Sequence, residues 1–142
     1  MDWWGKNDIK WDYLWKEFIC SEQTFSKIRE LGKDSIDDVN RAAIEWIVTM
    51  TIGQRQFEIH PEKILKVKYE NLTRDTDNEL NRIFKFCELS NDKLVYEYAK
   101  KRMFVNTPKK MPQLHPVIYQ YFEKTMLDLG YSFEAHLEEN IE

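Results

Sequence analysis

Tyr69-Glu70-Asn71-Leu72 stands where an alternating stretch, residues 63–69, gives way to a helical pattern, residues 73–89. A carboxylate at such a turn can accept backbone N–H groups, because negative charge is favoured at a helix N-terminus. Asn71 can cap the same turn through its side-chain oxygen. A second candidate is the loop "NTPKKMPQ", where Lys109 and Lys110 stand between two prolines. Two lysines near a phosphate are sensible chemistry, but by residue type the preferred reading of this loop is a solvated one. His60, His115 and His136 have no metal-ligand spacing. His60 and His115 each precede a proline, so turn and cap roles suffice for them. Cys20 and Cys87 each lie inside an apolar helical pattern and read as small core residues, not as a bridge or a metal pair.

The elements that must position these groups are mostly helical. Trp11, Leu14, Trp15, Phe18 and Ile19 fall on one helix face, with Trp4 one heptad earlier. Residues 21–31 form a short second helix closed by Gly32. Ser35 and Asp38 resemble a capping box ahead of a helix whose stripe is Ile36, Val39, Ala43, Ile47 and Met50. His60-Pro61 stops that helix, because a residue before proline is pushed out of the α region. In "KILKVKY", Ile64, Lys66 and Lys68 alternate with Leu65, Val67 and Tyr69, the pattern of a strand. Next comes a helix burying Leu80, Ile83, Phe84 and Cys87, then one capped by Ser90 or Asn91. The last helix has Pro116 at its first position, a face of Ile118, Tyr121, Phe122, Thr125 and Leu129, and a Schellman close at Gly130-Tyr131. A single strand cannot satisfy its own backbone groups, so its partners must come from elsewhere.

Composition narrows the function classes. The chain has 142 residues and a formal charge of −4, so it carries no electrostatic footprint for nucleic acid. Five basic side chains crowd residues 100–110, and four acidic ones crowd residues 134–142. Lys100, Lys101 and Arg102 read as an exposed helix face. The start of the chain has mixed charge and no apolar stretch of signal-peptide kind, and no run reaches membrane-spanning length. A cytoplasmic, reducing setting is therefore expected. The Asn71-Leu72-Thr73 glycosylation pattern is discounted on the same ground. The aromatic start, with three Lys against four acids in its first twenty residues, suits core packing better than an anionic membrane surface.

The strand ending in Tyr69-Glu70-Asn71-Leu72, then Leu80, Ile83 and Phe86 at helical spacing, then Leu89, resembles the C-terminal half of the sulfotransferase family. The helix with Trp46 and the ending Leu129-Gly130-Tyr131 are similar to that family too, so the resemblance spans roughly residues 35–131. It implies the C-terminal part of an α/β, P-loop-like fold, here mostly α with one or two short strands. It divides the chain into an aromatic helical segment (1–34), the sulfotransferase-like part (35–131) and an acidic tail (132–142). It implies transfer of a sulfuryl group from 3′-phosphoadenosine-5′-phosphosulfate to an acceptor hydroxyl or amine on a small molecule or carbohydrate. Tyr69 is then an adenine wall, with the edge of a sheet as its alternative role. Lys109 and Lys110 are contacts for the 3′-phosphate, while Trp11 and Trp15 could stack on the acceptor.

Two departures bear on that implication. The family grips the phosphosulfate with a glycine-containing loop whose backbone N–H groups point at the anion, and none of Gly5, Gly32, Gly53 or Gly130 lies in such a setting. "Arg74-Asp75-Thr76" imitates the family's 3′-phosphate string but follows the Tyr-Glu junction. Loop and catalytic base are thus expected in a missing N-terminal half, and the chain alone is expected to be inactive. The competing reading is a non-enzymatic helical interaction module on an inherited scaffold.

Overall fold

The computed structural model describes residues 8–104 and 112–131, which are mostly helical and contain no strand. Trp4, Lys109, Lys110 and the acidic tail lie outside the described residues. The chain divides into two compact units: residues 1–54 with 110–142, and residues 55–109.

In the first unit, α1 (Ile9–Leu14) runs on into a wider π-type turn, Trp15–Ile19, closed by a Cys20 N–H bond to the Trp15 carbonyl at 2.9 Å. Trp11, Leu14 and Ile19 are buried, and Trp15 and Phe18 half-buried, on the face the spacing marks. A short turn leads into α2 (Ser26–Glu30), which buries Ile28. Gly32 follows at φ 80, a backbone value that glycine takes without a Cβ clash. The Lys33 ammonium donates to Asp12 at 2.6 Å, and this hydrogen bond raises its pKa above the ordinary value.

Helix α3 (Asp38–Ile59) is capped by Asp37, whose Oδ1 accepts the Asn40 backbone N–H at 2.8 Å and its side-chain amide at 3.0 Å. The Ser35–Asp38 capping box does not form, because the Ser35 hydroxyl donates to the Leu31 and Gly32 carbonyls. The buried face is Asn40, Ala43, Ile44, Ile47 and Val48. It shares Ala43 and Ile47 with the stripe read from sequence but leaves Val39 exposed, since Ile44 and Val48 bury more apolar surface at the same spacing. The helix ends at Ile59, one residue before His60-Pro61.

Helix α7 (Pro116–Asp128) has proline at its start, and His115 Nδ1 accepts the Val117 N–H at 3.3 Å. Its end is the Schellman close: Tyr131 N–H to the Met126 carbonyl and Gly130 N–H to the Leu127 carbonyl, both 2.9 Å, with Gly130 at φ 72. Asn40 Oδ1 accepts the His115 N–H at 2.9 Å, so a buried amide on α3 fixes where α7 begins. Trp11, Phe25, Ile28, Ile44, Ile47 and Ile118 form the centre of one apolar core.

The second unit is thinner. It contains α4 (Tyr69–Arg74), α5 (Thr76–Phe86) and α6 (Lys93–Arg102). Of its described apolar side chains, only Leu80 and Ala99 are buried. Helices α5 and α6 are joined by the Tyr96 hydroxyl donating to Asn81 at 2.6 Å, by stacked Phe84 and Tyr96 rings and by a Lys100–Asp77 ion pair at 2.6 Å. Asp92 caps α6 by accepting the Leu94 N–H at 2.8 Å; Ser90 and Asn91 lie outside the helix.

Residues 64–68 form no strand, which corrects the fold-class reading. Ile64 and Leu65 are half-buried together and Lys66 and Val67 exposed together, so the alternation in sequence is not realised as two faces. The physical reason is the one the sequence raises: a lone extended segment has no ladder to hold it. Arg82 of α5 takes the place of a ladder partner, donating to the Lys66 carbonyl at 2.7 Å.

Candidate functional site

Tyr-Glu-Asn-Leu is the first turn of α4, so Tyr69 opens a helix where the sequence suggested the end of a strand. Lys68 stays extended at φ −86 and ψ 130, and its carbonyl accepts the Leu72 N–H at 3.0 Å. The junction is therefore closed by backbone. Asn71 sits at the third helical position, inside the turn it was expected to cap, and Glu70 is exposed. The Tyr69 side chain is 42% exposed, and its hydroxyl donates to the Phe104 carbonyl at 3.1 Å. Phe104 is the last described residue before the segment that carries Lys109 and Lys110.

The cations around this corner differ in freedom. Lys66 Nζ lies 3.8 Å from the centroid of the Phe57 ring. Arg82 is shared between the Lys66 carbonyl and Glu79, each at 2.7 Å. Lys100 pairs with Asp77, and the Arg102 guanidinium lies over Tyr98. Lys101 is exposed on the same helix. The basic run is thus an exposed face, partly engaged within its own unit.

Trp11 and Trp15 belong to the other unit. Trp11 is 1% exposed, its ring 5.5 Å from Trp15 and under the Arg41 guanidinium at 5.3 Å. A ring enclosed in this way has no face open to an acceptor, so Trp11 acts as core. Trp15 is half-buried. The sequence reading missed an apolar cleft of about 480 Å³ lined by Val39, Ala42, Trp46, Leu114 and Phe122 with Asp38 beside it. Trp46 and Phe122 face one another at 4.8 Å. They belong to different helices, and only the packing of α3 beside α7 brings the two rings together.

Cys20 and Cys87 are exposed, against the expectation that both lie in the core. Cys87 follows the last residue of α5, so the helical period no longer places it on the buried face. Among the described residues no cluster of His, Cys, Asp and Glu could hold a metal, and no helix is long and apolar enough to cross a membrane.

Comparison with protein families matches a model described as the sulfotransferase family to residues 19–93, more than half of the chain and including all of α2 to α5. Comparisons with curated proteins and with solved structures gave no match.

Proposed function

The chain belongs to the sulfotransferase family, and we propose that it is the C-terminal portion of an enzyme transferring a sulfuryl group from 3′-phosphoadenosine-5′-phosphosulfate to an acceptor hydroxyl or amine. The observation that carries this reading is Tyr69. It opens α4 inside the matched stretch, it is 42% exposed, and its hydroxyl donates to the carbonyl of Phe104, five positions before Lys109.

An exposed aromatic face suits a purine, since stacking a base on an aromatic side chain contributes about 1–3 kcal/mol. Lys109 and Lys110 serve as ammonium donors to the 3′-phosphate. When bound, the donor supplies the sulfuryl group, whose sulfur takes the acceptor's lone pair as its bond to phosphate breaks. Catalysis of such a transfer is mainly positioning and charge stabilisation, by analogy with phosphoryl transfer. This chain's share is positioning: Tyr69 orients the purine.

In this reading the phosphosulfate loop and the base come from the preceding half of the enzyme, which also supplies strand partners for residues 64–68. The chain alone then has no turnover. Titration with adenosine 3′,5′-bisphosphate tests the assignment. Saturable binding that weakens about tenfold in Tyr69→Ala supports it, at the lower end of the stacking contribution. Binding indifferent to Tyr69, or sulfate transfer by the chain alone, contradicts it.

A second reading rests on a different observation. Leu94, Tyr98 and Phe104 are each about two-thirds exposed or more in the second unit, which suits a helical module that docks another protein without catalysis. Tight association with a protein partner, with no nucleotide binding, would favour it.

A further inference from the structure

We infer that the outward face of α6 docks on an anionic lipid surface, with Leu94 and Tyr98 as apolar anchors and Lys101 and Arg102 as headgroup contacts. None of these residues belongs to the proposed nucleotide site, so the two assignments stand or fall separately. The inner side of α6 is spent on α5. Ala99 is buried, Tyr96 stacks on Phe84 and bonds to Asn81, and Lys100 pairs with Asp77 at 2.6 Å. At about 3.6 residues per turn, Leu94, Tyr98 and Lys101 fall on the opposite side, one above another along about 10 Å of helix. Leu94 is 71% exposed, more than any other large apolar side chain described, and Tyr98 is 65% exposed.

The charge on this face says what covers it. Helix α6 carries Lys93, Lys100, Lys101 and Arg102 against the single acid Glu97, in a chain whose formal charge is −4. Glu97 is paired with Lys93 at 3.6 Å, and Lys100 is turned to Asp77. Lys101 is exposed and meets no carboxylate among the described residues. The Arg102 guanidinium lies 5.9 Å from the centre of the Tyr98 ring. Cations also complement the C-terminal end of a helix, but that role needs no exposed leucine and tyrosine beside them. A protein-docking patch keeps lysine out of its centre. Here Lys101 stands on the same stripe as Leu94, two turns on. At a bilayer surface that combination is favourable: the leucine enters the acyl boundary, the tyrosine sits at headgroup level, and the basic side chains lay their apolar stems along the surface with their charges at the phosphates. One short face gives a weak, reversible attachment that salt screens.

Cosedimentation of the intact chain with vesicles tests this. Wild type is compared with Leu94→Ala, Lys101→Gln and Lys16→Gln; the last removes an equal charge from the other unit. All three positions are exposed, so the variants keep the fold. The vesicles are equal parts phosphatidylcholine and phosphatidylserine, or phosphatidylcholine alone. Saturable binding to the mixed vesicles is expected, roughly tenfold weaker on phosphatidylcholine alone and at high salt. Lys101→Gln should lose about fivefold in affinity, Leu94→Ala about tenfold, and Lys16→Gln nothing. Equal losses in Lys101→Gln and Lys16→Gln overturn the placement on α6. No binding to the mixed vesicles, or binding just as strong to phosphatidylcholine alone, overturns the proposal outright. Should the chain bind no vesicle yet self-associate in sedimentation velocity, with Leu94→Ala abolishing the association, the face belongs to a second copy and the proposal fails likewise.

Discussion

Replacing Trp11 by alanine distinguishes a ring that supports the fold from one that meets an acceptor. The side chain is 1% exposed, stacks at a tilt on Trp15 at 5.5 Å and lies under Arg41 at 5.3 Å. Truncating a buried tryptophan costs about 3–5 kcal/mol through lost transfer energy and the cavity left behind. The lost contacts with Trp15 and the Arg41 guanidinium are part of that cost and place it toward the upper end. Against a total stability of about 5–15 kcal/mol, the change removes a large share of what holds the first unit together. All five tryptophans lie in residues 1–54, so their fluorescence during urea unfolding reports that unit. The Tyr13→Ala variant, at a position 63% exposed, is the control. Trp11→Ala is expected to lower the urea midpoint far more than Tyr13→Ala, with little change in slope. Should Trp11→Ala fail to fold, Trp11→Phe still reads out, with an expected loss of about 1–2 kcal/mol from the smaller ring. A loss from Trp11→Ala no larger than the control would refute the assignment of this ring to the core.

Other consequences follow from single positions. Gly53 lies within α3 with no atom within 4 Å of an added Cβ, so Gly53→Ala should stabilise by up to about 1 kcal/mol, read as a rise in urea midpoint. Gly32 at φ 80 should show the opposite sign, with Gly32→Ala losing about 1–2 kcal/mol. The Asp37 carboxyl is held below its ordinary value by the Asn40 backbone N–H first and the Asn40 side-chain amide second. A lowered folded value means that its stabilisation is complete above the unfolded value of 3.8 and is lost as pH falls through the lower folded value. Asp37→Asn, which keeps the capping oxygen but not the charge, should therefore flatten the acid limb of stability against pH. Cys20 and Cys87 should both react with a disulfide reagent in the native protein, without prior unfolding, and a thiol that reacts only in denaturant would contradict its exposure.

Helix signals that act through the backbone were legible in the sequence. Pro116 opens α7, Gly130-Tyr131 closes it, and His60-Pro61 stops α3, because each acts within a few residues of itself. Choices among neighbouring groups were not. Asp37 and Asp92 cap α3 and α6, where the sequence pointed to Ser35 and to Ser90 or Asn91, since the cap depends on where the preceding turn leaves the chain. The alternation of residues 64–68 was read correctly as a pattern and wrongly as a strand. A period of two states which faces would be formed, but not whether a neighbouring strand exists to make the ladder. The setting of Tyr69 between an extended segment and a helix was legible. Its bond to Phe104 and the meeting of Trp46 with Phe122 were not, because both join residues far apart in sequence.

The central claim is that the α4 corner faces a nucleotide. Its most direct test is adenosine 3′,5′-bisphosphate added to the isotope-labelled chain while backbone amide resonances are followed. Saturable shifts concentrated at residues 69–72 and 103–104, reduced in Tyr69→Ala, are expected. Shifts confined to the amides of α1 and α3, or none at millimolar nucleotide, would contradict it.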